Sequence, residues 1–205
     1  MSSNSTVFVV DDDRVFLEST CKLLKSAQLS VIACESAHAF LNTFQLGQPG
    51  CLLLDVIMPH MSGLELLEEL NQRRWTIPTI VMTAHGRVSV AVQAMKLGAL
   101  DFVEKPFRDK QSLIDLVQRA LQTATFAQQQ RAEIEEIGRK LATLTEHEQY
   151  VLLRVVDGLS SKEIAHGMAV SVRTVETQRA KIMKKLAAES IPQLVRMVLR
   201  HSTAK

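Results

Sequence analysis

The feature that most constrains the fold is a set of short apolar and β-branched runs that alternate with helical patterns over the first 120 residues. These runs predict five strands, at Thr6–Val10, Ser30–Cys34, Cys51–Leu54, Thr79–Met82 and Phe102–Val103. Runs such as CLLL and TIVM are apolar on both faces, which is typical of a parallel sheet covered by helices. Helical patterns near 14–27, 37–44, 63–71 and 88–97, and a fifth from about 109, fill the intervals. The sequence therefore predicts a doubly wound α/β domain with a five-stranded parallel sheet.

From Leu113 the pattern changes to that of one long helix. Apolar or small residues recur in steps of three and four at 113, 117, 120, 124, 127, 134 and 141, and Arg131 and Gly138 interrupt this heptad-like seam. The fifth helix is thus predicted to continue as a long linker, either a solvated spacer or a dimer coiled coil. After Thr143, capping residues and Pro192 mark four short helices. We divide the chain into a sheet domain (1–121), a helical linker (122–142) and a small all-α four-helix domain (143–205).

Charge and composition limit the function. Residues 1–121 contain 11 Lys and Arg against 13 Asp and Glu, whereas residues 122–205 contain 13 against 9. The basic second part indicates a polyanionic partner, and nine aromatic residues in all are too few for a base-stacking platform on single strands. No apolar run approaches the roughly 20 residues that span a bilayer, and the N-terminus lacks a signal-peptide pattern. Three cysteines without metal spacing fit a reducing cytosol, so we predict a cytoplasmic protein with no membrane partner.

Chemically active side chains follow four of the five predicted strands. Asp11 and Asp12 come after the first strand, Asp55 after the third, Thr83 after the fourth and Lys105 after the fifth. Because α/β sheets bind ligands at the carboxyl ends of their strands, we expect these side chains to converge. A single aspartate at a strand end is commonly only a helix cap, but five such positions together indicate a site. Crowded carboxylates need a cation, and oxygen-only ligands favour Mg²⁺ over Zn²⁺.

The motifs around these residues resemble the receiver domain of two-component response regulators. The resemblance covers residues 6 to about 121 and rests on VVDDD, on LLLD followed by VIMPHMSG, on VMTAHG and on FVEKPF. It implies a flavodoxin-like fold in which Asp55 accepts a phosphoryl group from a sensor histidine kinase. It also implies that Asp12 binds Mg²⁺ directly and that Asp11 does so mainly through water. The backbone carbonyl of Ile57 would complete the protein ligands.

The same resemblance assigns a switch. Thr83 and Lys105 are expected to contact the oxygens of the acyl phosphate, with the Lys105–Pro106 peptide bond in the cis form. Phe102 stands at the position of the switch aromatic, which turns inward as Thr83 moves; the alternative is that Phe102 is a plain core residue. The implied phosphorylation-dependent homodimer surface contains Val88, Val92, Met95 and Lys96.

The basic part of the chain resembles the LuxR-type helix-turn-helix of the NarL/FixJ response regulators. The segments that carry the resemblance are GLSSKEIA, VSVRTVE and KIMKKL. His147, Tyr150 and Gln178 depart from the residues that are common in that family. The resemblance implies that double-stranded promoter DNA is the polyanion, and that the helix after Ser171 enters the major groove.

Helical periodicity supports that assignment independently. At 100° per residue, Val175, Ile182 and Leu186 form a core stripe, and the opposite face combines a small polar centre with cationic edges, which suits the major groove. A charge-rich helix face is commonly only solvated, but the charge division favours DNA. The candidate DNA-binding residues are Lys162, Arg173, Thr174, Glu176, Thr177, Ala180, Lys181 and Lys184.

These patterns predict a phosphorylation-dependent DNA-binding transcription regulator that dimerises on phosphorylation. Apart from Mg²⁺-dependent self-phosphorylation and autodephosphorylation, no enzymatic activity is expected. An alternative is a phosphorylation-independent DNA-binding regulator with a structural receiver. A phosphatase of the haloacid type is excluded, since that class needs a second aspartate two residues after the nucleophile and Ile57 occupies this position.

Overall fold

The structure is a computed structural model that describes residues 5–84 and 88–203. Residues 85–87, the first two of which end the VMTAHG motif, lie outside the described residues. The chain divides between Gln128 and Gln129 into two compact units, and each is described by itself below.

In the first unit, five strands alternate with helices. The elements are β1 (Thr6–Val10), α1 (Arg14–Ser26), β2 (Ser30–Cys34), α2 (Ala37–Thr43), β3 (Gly50–Asp55), α3 (Gly63–Gln72), β4 (Thr79–Thr83), α4 (Val88–Lys96), β5 (Asp101–Glu104) and α5 (Lys110–Leu141). The strand order is β2-β1-β3-β4-β5, and every neighbouring pair is parallel. The predicted doubly wound sheet is therefore confirmed.

Alternate residues of the central strands supply cores on the two faces of this sheet. On β1, Phe8 and Val10 pack in the cluster that includes residues of α2 and α3. Val7 and Val9 pack in the opposite cluster, with residues of α1 and α5. Strands β1, β3 and β4 are buried along their whole length, which explains why their sequences are apolar on both faces.

The heptad-like seam of α5 is used within the chain itself. Leu113, Val117 and Ala120 are buried in the core of the first unit, between α5 and the sheet. Ile137 lies outside that seam, in the part of α5 that belongs to the second unit, and is buried as well. Because these apolar residues are already buried within the chain, a coiled coil between two copies would have to form without them.

The second unit contains the four predicted helices. They are α6 (Glu146–Val156), α7 (Ser161–Met168), α8 (Val172–Leu186) and α9 (Ile191–Thr203). The side chains of Thr145 and Ser160 complete capping boxes at the starts of α6 and α7, and Ser171 caps α8. None of the helices in the described part of the chain is both long and apolar enough to cross a bilayer.

Candidate functional site

The sheet brings the predicted polar residues together at one edge. Asp11 directly follows β1, Asp55 ends β3 and Thr83 ends β4. The backbone N–H of Lys105 donates to the carbonyl of Thr83 at 2.8 Å, which continues the pairing of β5 with β4. The Lys105–Pro106 peptide bond is cis. Four residues that are distant in sequence therefore lie together at the carboxyl ends of the strands.

Lys105 forms ion pairs with two buried aspartates. Its Nζ lies 2.5 Å from Oδ2 of Asp11 and 2.9 Å from Oδ1 of Asp55. The Asp11 side chain is completely buried, and that of Asp55 is only 8% exposed. Oδ1 of Asp11 also accepts the backbone N–H of Asp13 at 3.1 Å. One ammonium group thus bridges two carboxylates in a site that is largely shielded from water.

Burial dominates the protonation behaviour of both aspartates. It raises the pKa of the Asp11 carboxyl above its usual range, although the Lys105 ammonium works in the opposite direction. Burial likewise raises the pKa of Asp55, Lys105 lowers it, and the neighbouring Asp11 charge raises it again. The site therefore favours additional positive charge, because a single ammonium does not fully compensate two buried carboxylates.

A third carboxylate lies at the open side of the crevice. Asp12 is exposed, and one oxygen each from Asp11, Asp12 and Asp55 lies within 4.8 Å of the others. Such a group of oxygen donors, partly open to water, suits a hard divalent cation such as Mg²⁺. The side chain of Ile57 points away from the core and is 63% exposed.

Two aromatic residues at this site were not identified from the sequence. The Lys105 Nζ lies 4.4 Å from the centroid of the Phe16 ring, and the Phe16 and Phe107 centroids are 5.1 Å apart. Both rings are half-buried against the core cluster between α1, α5 and the sheet. No motif spacing marks Phe16, because its contact with Lys105 joins residues that only the folded sheet brings together.

Phe102 lies away from this crevice. It is 43% exposed and lines an apolar groove of about 490 Å³ with residues of α4. The other lining residues are Val88, Ala91, Val92, Met95 and Lys96. This groove contains all four residues of the dimer surface that the family resemblance implies.

Helix α8 separates a buried stripe from an exposed face. Val175, Ile182 and Leu186 are at most 1% exposed, as the periodicity predicted. All the candidate DNA-binding residues are exposed. One of them, Lys162, lies on α7, and the others lie on α8: Arg173, Thr174, Glu176, Thr177, Ala180, Lys181 and Lys184. Two of the hydroxyls have local partners, since Thr174 Oγ1 contacts the Ser171 cap at 2.8 Å and Thr177 Oγ1 donates to the carbonyl of Arg173 at 2.9 Å.

Two contacts that hold α8 against its neighbours were also absent from the sequence prediction. Lys185 donates to the Glu148 carboxylate at 2.6 Å, and this hydrogen bond lowers the pKa of Glu148. Arg179 donates to Oγ of Ser161 at 2.8 Å, which links α8 to the start of α7. Glu148 also belongs to the capping box at the start of α6, but its pairing with Lys185 depends on tertiary structure.

Comparison with protein families divides the chain in the same way. Residues 7–118 match the response regulator receiver domain, and residues 142–198 match the bacterial regulatory proteins of the luxR family.

Individual proteins are similar over nearly the whole length. The transcriptional regulatory protein FixJ of Azorhizobium caulinodans is 45% identical, over 97% of this chain and 94% of that protein. FixJ of Rhizobium meliloti is 43% identical, over 95% of each protein. Among solved structures, the response regulator StyR is 39% identical with a TM-score of 0.86, and the match covers 97% of this chain and 100% of that chain. Full-length FixJ from B. japonicum is 36% identical with a TM-score of 0.58, over 98% and 99% of the two chains.

Proposed function

The chain belongs to the response regulators that join a receiver domain to a LuxR-type helix-turn-helix domain and is a two-component transcriptional regulator; from this premise we propose that phosphorylation of Asp55 controls its binding to promoter DNA. The phosphoryl donor is the phosphohistidine of a sensor histidine kinase. The observation that carries the proposal is the Lys105 ammonium, held between the buried carboxylates of Asp11 and Asp55 beside Thr83.

The residues around Asp55 fit Mg²⁺. Asp11, Asp12 and Asp55 would hold the ion together with the backbone carbonyl of Ile57, and their oxygen-only donor set suits it. Bound there, Mg²⁺ would supply positive charge that neutralises the oxygens of the transferring phosphoryl group. This proposal also agrees with the raised pKa values of Asp11 and Asp55, which indicate that the two carboxylates lack sufficient counter-charge.

Each residue of the crevice then has a distinct task. A carboxylate oxygen of Asp55 attacks phosphorus, the P–N bond to the donor imidazole breaks, and its electron pair stays on the imidazole nitrogen. Lys105 neutralises charge that develops on the phosphoryl oxygens. Thr83, which ends the neighbouring strand, donates its hydroxyl to one of these oxygens in the product. The acyl phosphate formed on Asp55 thereby gains partners that the free carboxylate lacks.

The apolar groove between α4 and β5 is the proposed output surface of the receiver. Phosphate contacts at Thr83 favour a conformation in which Phe102 leaves this groove and turns inward. Burying Val88, Val92 and Met95 against a second copy would then remove exposed apolar surface from water. A homodimer forms on phosphorylation and presents two DNA-binding units to a two-fold operator.

In the second unit, α8 is the proposed recognition helix. Arg173 and Lys184 contact phosphates, while Glu176, Thr177 and Ala180 lie nearest the base edges, and all five are exposed. Lys181 on α8 and Lys162 on α7 add positive charge toward the backbone of the double-stranded DNA. Thr174, whose hydroxyl contacts the Ser171 cap, belongs to the start of this interface.

Phosphoryl uptake from acetyl phosphate with Mg²⁺, followed on a phosphate-affinity gel, tests the chemistry. Asp55→Asn should abolish uptake, and Asp12→Asn should slow it by weakening Mg²⁺ binding without removing the acceptor. Asp115→Asn, an exposed position on α5, is the matched control and should behave as the unaltered chain. Stoichiometric acid-labile phosphate on the Asp55→Asn protein would refute the assignment.

A further inference from the structure

The ammonium group of Lys105 has an aromatic neighbour in addition to its two carboxylates. Asp11 and Asp55 lie 2.5 and 2.9 Å from Nζ, and the centroid of the Phe16 ring lies 4.4 Å from it. This distance is within the range of a cation–π interaction. With these neighbours in place, the Lys105 side chain is only 11% exposed.

The position of the Phe16 ring is fixed from two directions. Asp13 caps α1, and its carboxylate accepts the backbone N–H groups of Val15 at 3.0 Å and Phe16 at 3.1 Å, which anchors the first helical turn. The ring itself packs against Phe107 at a centroid distance of 5.1 Å and an interplanar angle of 56°. The ring therefore already lies beside the lysine before any ligand binds.

We propose that Phe16 is a positioning residue for Lys105, holding the ammonium in the crevice through a cation–π contact while Asp55 is phosphorylated. This inference rests on the proposed function of Asp55. The negative face of an aromatic ring attracts an ammonium without donating or accepting a conventional hydrogen bond. Phe16 can thus restrain Lys105 and keep water from it without competing for its N–H donors.

Such a restraint matters because Lys105 must change partners during the reaction. Before transfer, its ammonium lies 2.9 Å from Oδ1 of Asp55, the carboxylate that attacks phosphorus. As the new bond forms, negative charge moves onto the phosphoryl oxygens, and the ammonium must follow it over a short distance. A carboxylate in place of the Phe16 ring would oppose this movement through a strong directional bond to the ammonium, whereas the face of an aromatic ring allows the ammonium to move.

Fluorinated phenylalanines at position 16 test the cation–π contact itself, because fluorine withdraws electron density from the ring with little change in shape. In the full-length protein, the rate of phosphoryl uptake from acetyl phosphate should fall stepwise with one, two and three ring fluorines. We expect a total fall of roughly 3- to 10-fold, which corresponds to about 0.6–1.4 kcal/mol. The same series at Phe40, a core ring packed against Phe8, is the matched control and should leave the rate unchanged.

A spectroscopic measurement tests the position of Lys105 independently of phosphorylation. In protein labelled with ¹³C-lysine, the Lys105 ε-CH₂ signal, assigned through Lys105→Arg, should carry an upfield ring-current shift. Phe16→Leu should abolish this shift, and Phe16→Tyr should keep both the shift and the uptake rate. A rate that is independent of fluorination at Phe16, or a Lys105 signal that is unchanged by Phe16→Leu, would overturn the proposal.

These two measurements also separate this inference from the proposed function. If the unaltered protein takes up no phosphoryl group at Asp55, the proposed function fails, and the ring-current shift alone decides whether Phe16 holds Lys105. If uptake at Asp55 is normal and the fluorination series is flat, the proposed function stands and the role of Phe16 is wrong.

Discussion

Replacing Gly63 by alanine should damage the site without altering any of its functional side chains. A Cβ atom at this first residue of α3 would lie 2.1 Å from the carbonyl oxygen of Asp55 and 3.1 Å from Cγ of Leu54. Ordinary van der Waals separations are about 3.5 Å, so the start of α3 and the end of β3 must move apart by more than about 1 Å. The displaced backbone is that of the proposed phosphoacceptor itself.

Two costs set the size of the effect. Overpacking in a well-packed region costs about 1–3 kcal/mol. The backbone hydrogen bond from Gly63 to the carbonyl of Val56, at 2.9 Å, is strained by the same movement and contributes about 1 kcal/mol. We therefore expect the Gly63→Ala change to lower the free energy of unfolding of the first unit by about 2–4 kcal/mol. Phosphoryl uptake at Asp55 should slow as well.

Urea denaturation followed by the fluorescence of Trp75, which packs against Phe44 in the first unit, measures this loss. The control is Gly98→Ala, where an added Cβ meets no atom within 4 Å although φ is +91°. This control should cost only the backbone strain of about 1–2 kcal/mol and should leave uptake unchanged. The steric argument is refuted if Gly63→Ala lowers the free energy of unfolding no more than Gly98→Ala does and leaves phosphoryl uptake at Asp55 normal.

Three further outcomes are expected. Asp55→Asn should raise the melting temperature of the first unit at neutral pH, because the pKa of Asp55 is raised in the folded state. The destabilising contribution of Asp55 appears as pH rises above about 3.9, where the carboxyl group ionises in the unfolded chain first. A gain from Asp55→Asn that persists below that pH would contradict this explanation. The pKa of Glu148 is lowered by Lys185, so the second unit should lose stability as pH falls below about 4.3. Glu148→Gln should reduce that dependence in circular-dichroism melts and leave the share of Glu163, whose pKa is lowered by Ser160. In selection from randomised DNA sites, Thr177→Ala should change which sequence is preferred, with a change in binding free energy of about 1–3 kcal/mol per affected base pair. Lys184→Ala should instead weaken binding to all sites and reduce the slope of log affinity against log salt concentration by about one. An unchanged sequence preference for Thr177→Ala excludes a base contact by Thr177.

Much of the fold was predictable because its signals are local. Strands β1, β3 and β4 are buried on both faces, and the residues between their ends are all apolar. The stripe of Val175, Ile182 and Leu186 follows directly from helical periodicity and is buried as expected. The edge where Asp11, Asp55, Thr83 and Lys105 meet also follows from sequence, since parallel strands place their carboxyl ends together.

Other features depend on packing between distant segments and leave no local signal. Phe16 resembles any apolar residue of an amphipathic helix, yet its ring lies 4.4 Å from the Lys105 ammonium. The pairing of Glu148 with Lys185 joins two helices whose spacing the sequence does not encode. The seam of α5 has a heptad-like period, but that period cannot indicate whether Leu113 and Val117 pack against a second copy or against their own sheet.

The most direct test of the central claim is the affinity for promoter DNA of one protein before and after phosphorylation. Genomic fragments that the protein retains are identified first, and binding is then measured at fixed salt, with and without acetyl phosphate and Mg²⁺, for the unaltered chain and for Asp55→Asn. We expect phosphorylation to raise the affinity of the unaltered chain by about 5- to 150-fold and to leave that of Asp55→Asn unchanged. Equal affinity in both states, with full phosphorylation of Asp55 verified, would contradict this expectation and favour a regulator that binds DNA independently of its receiver.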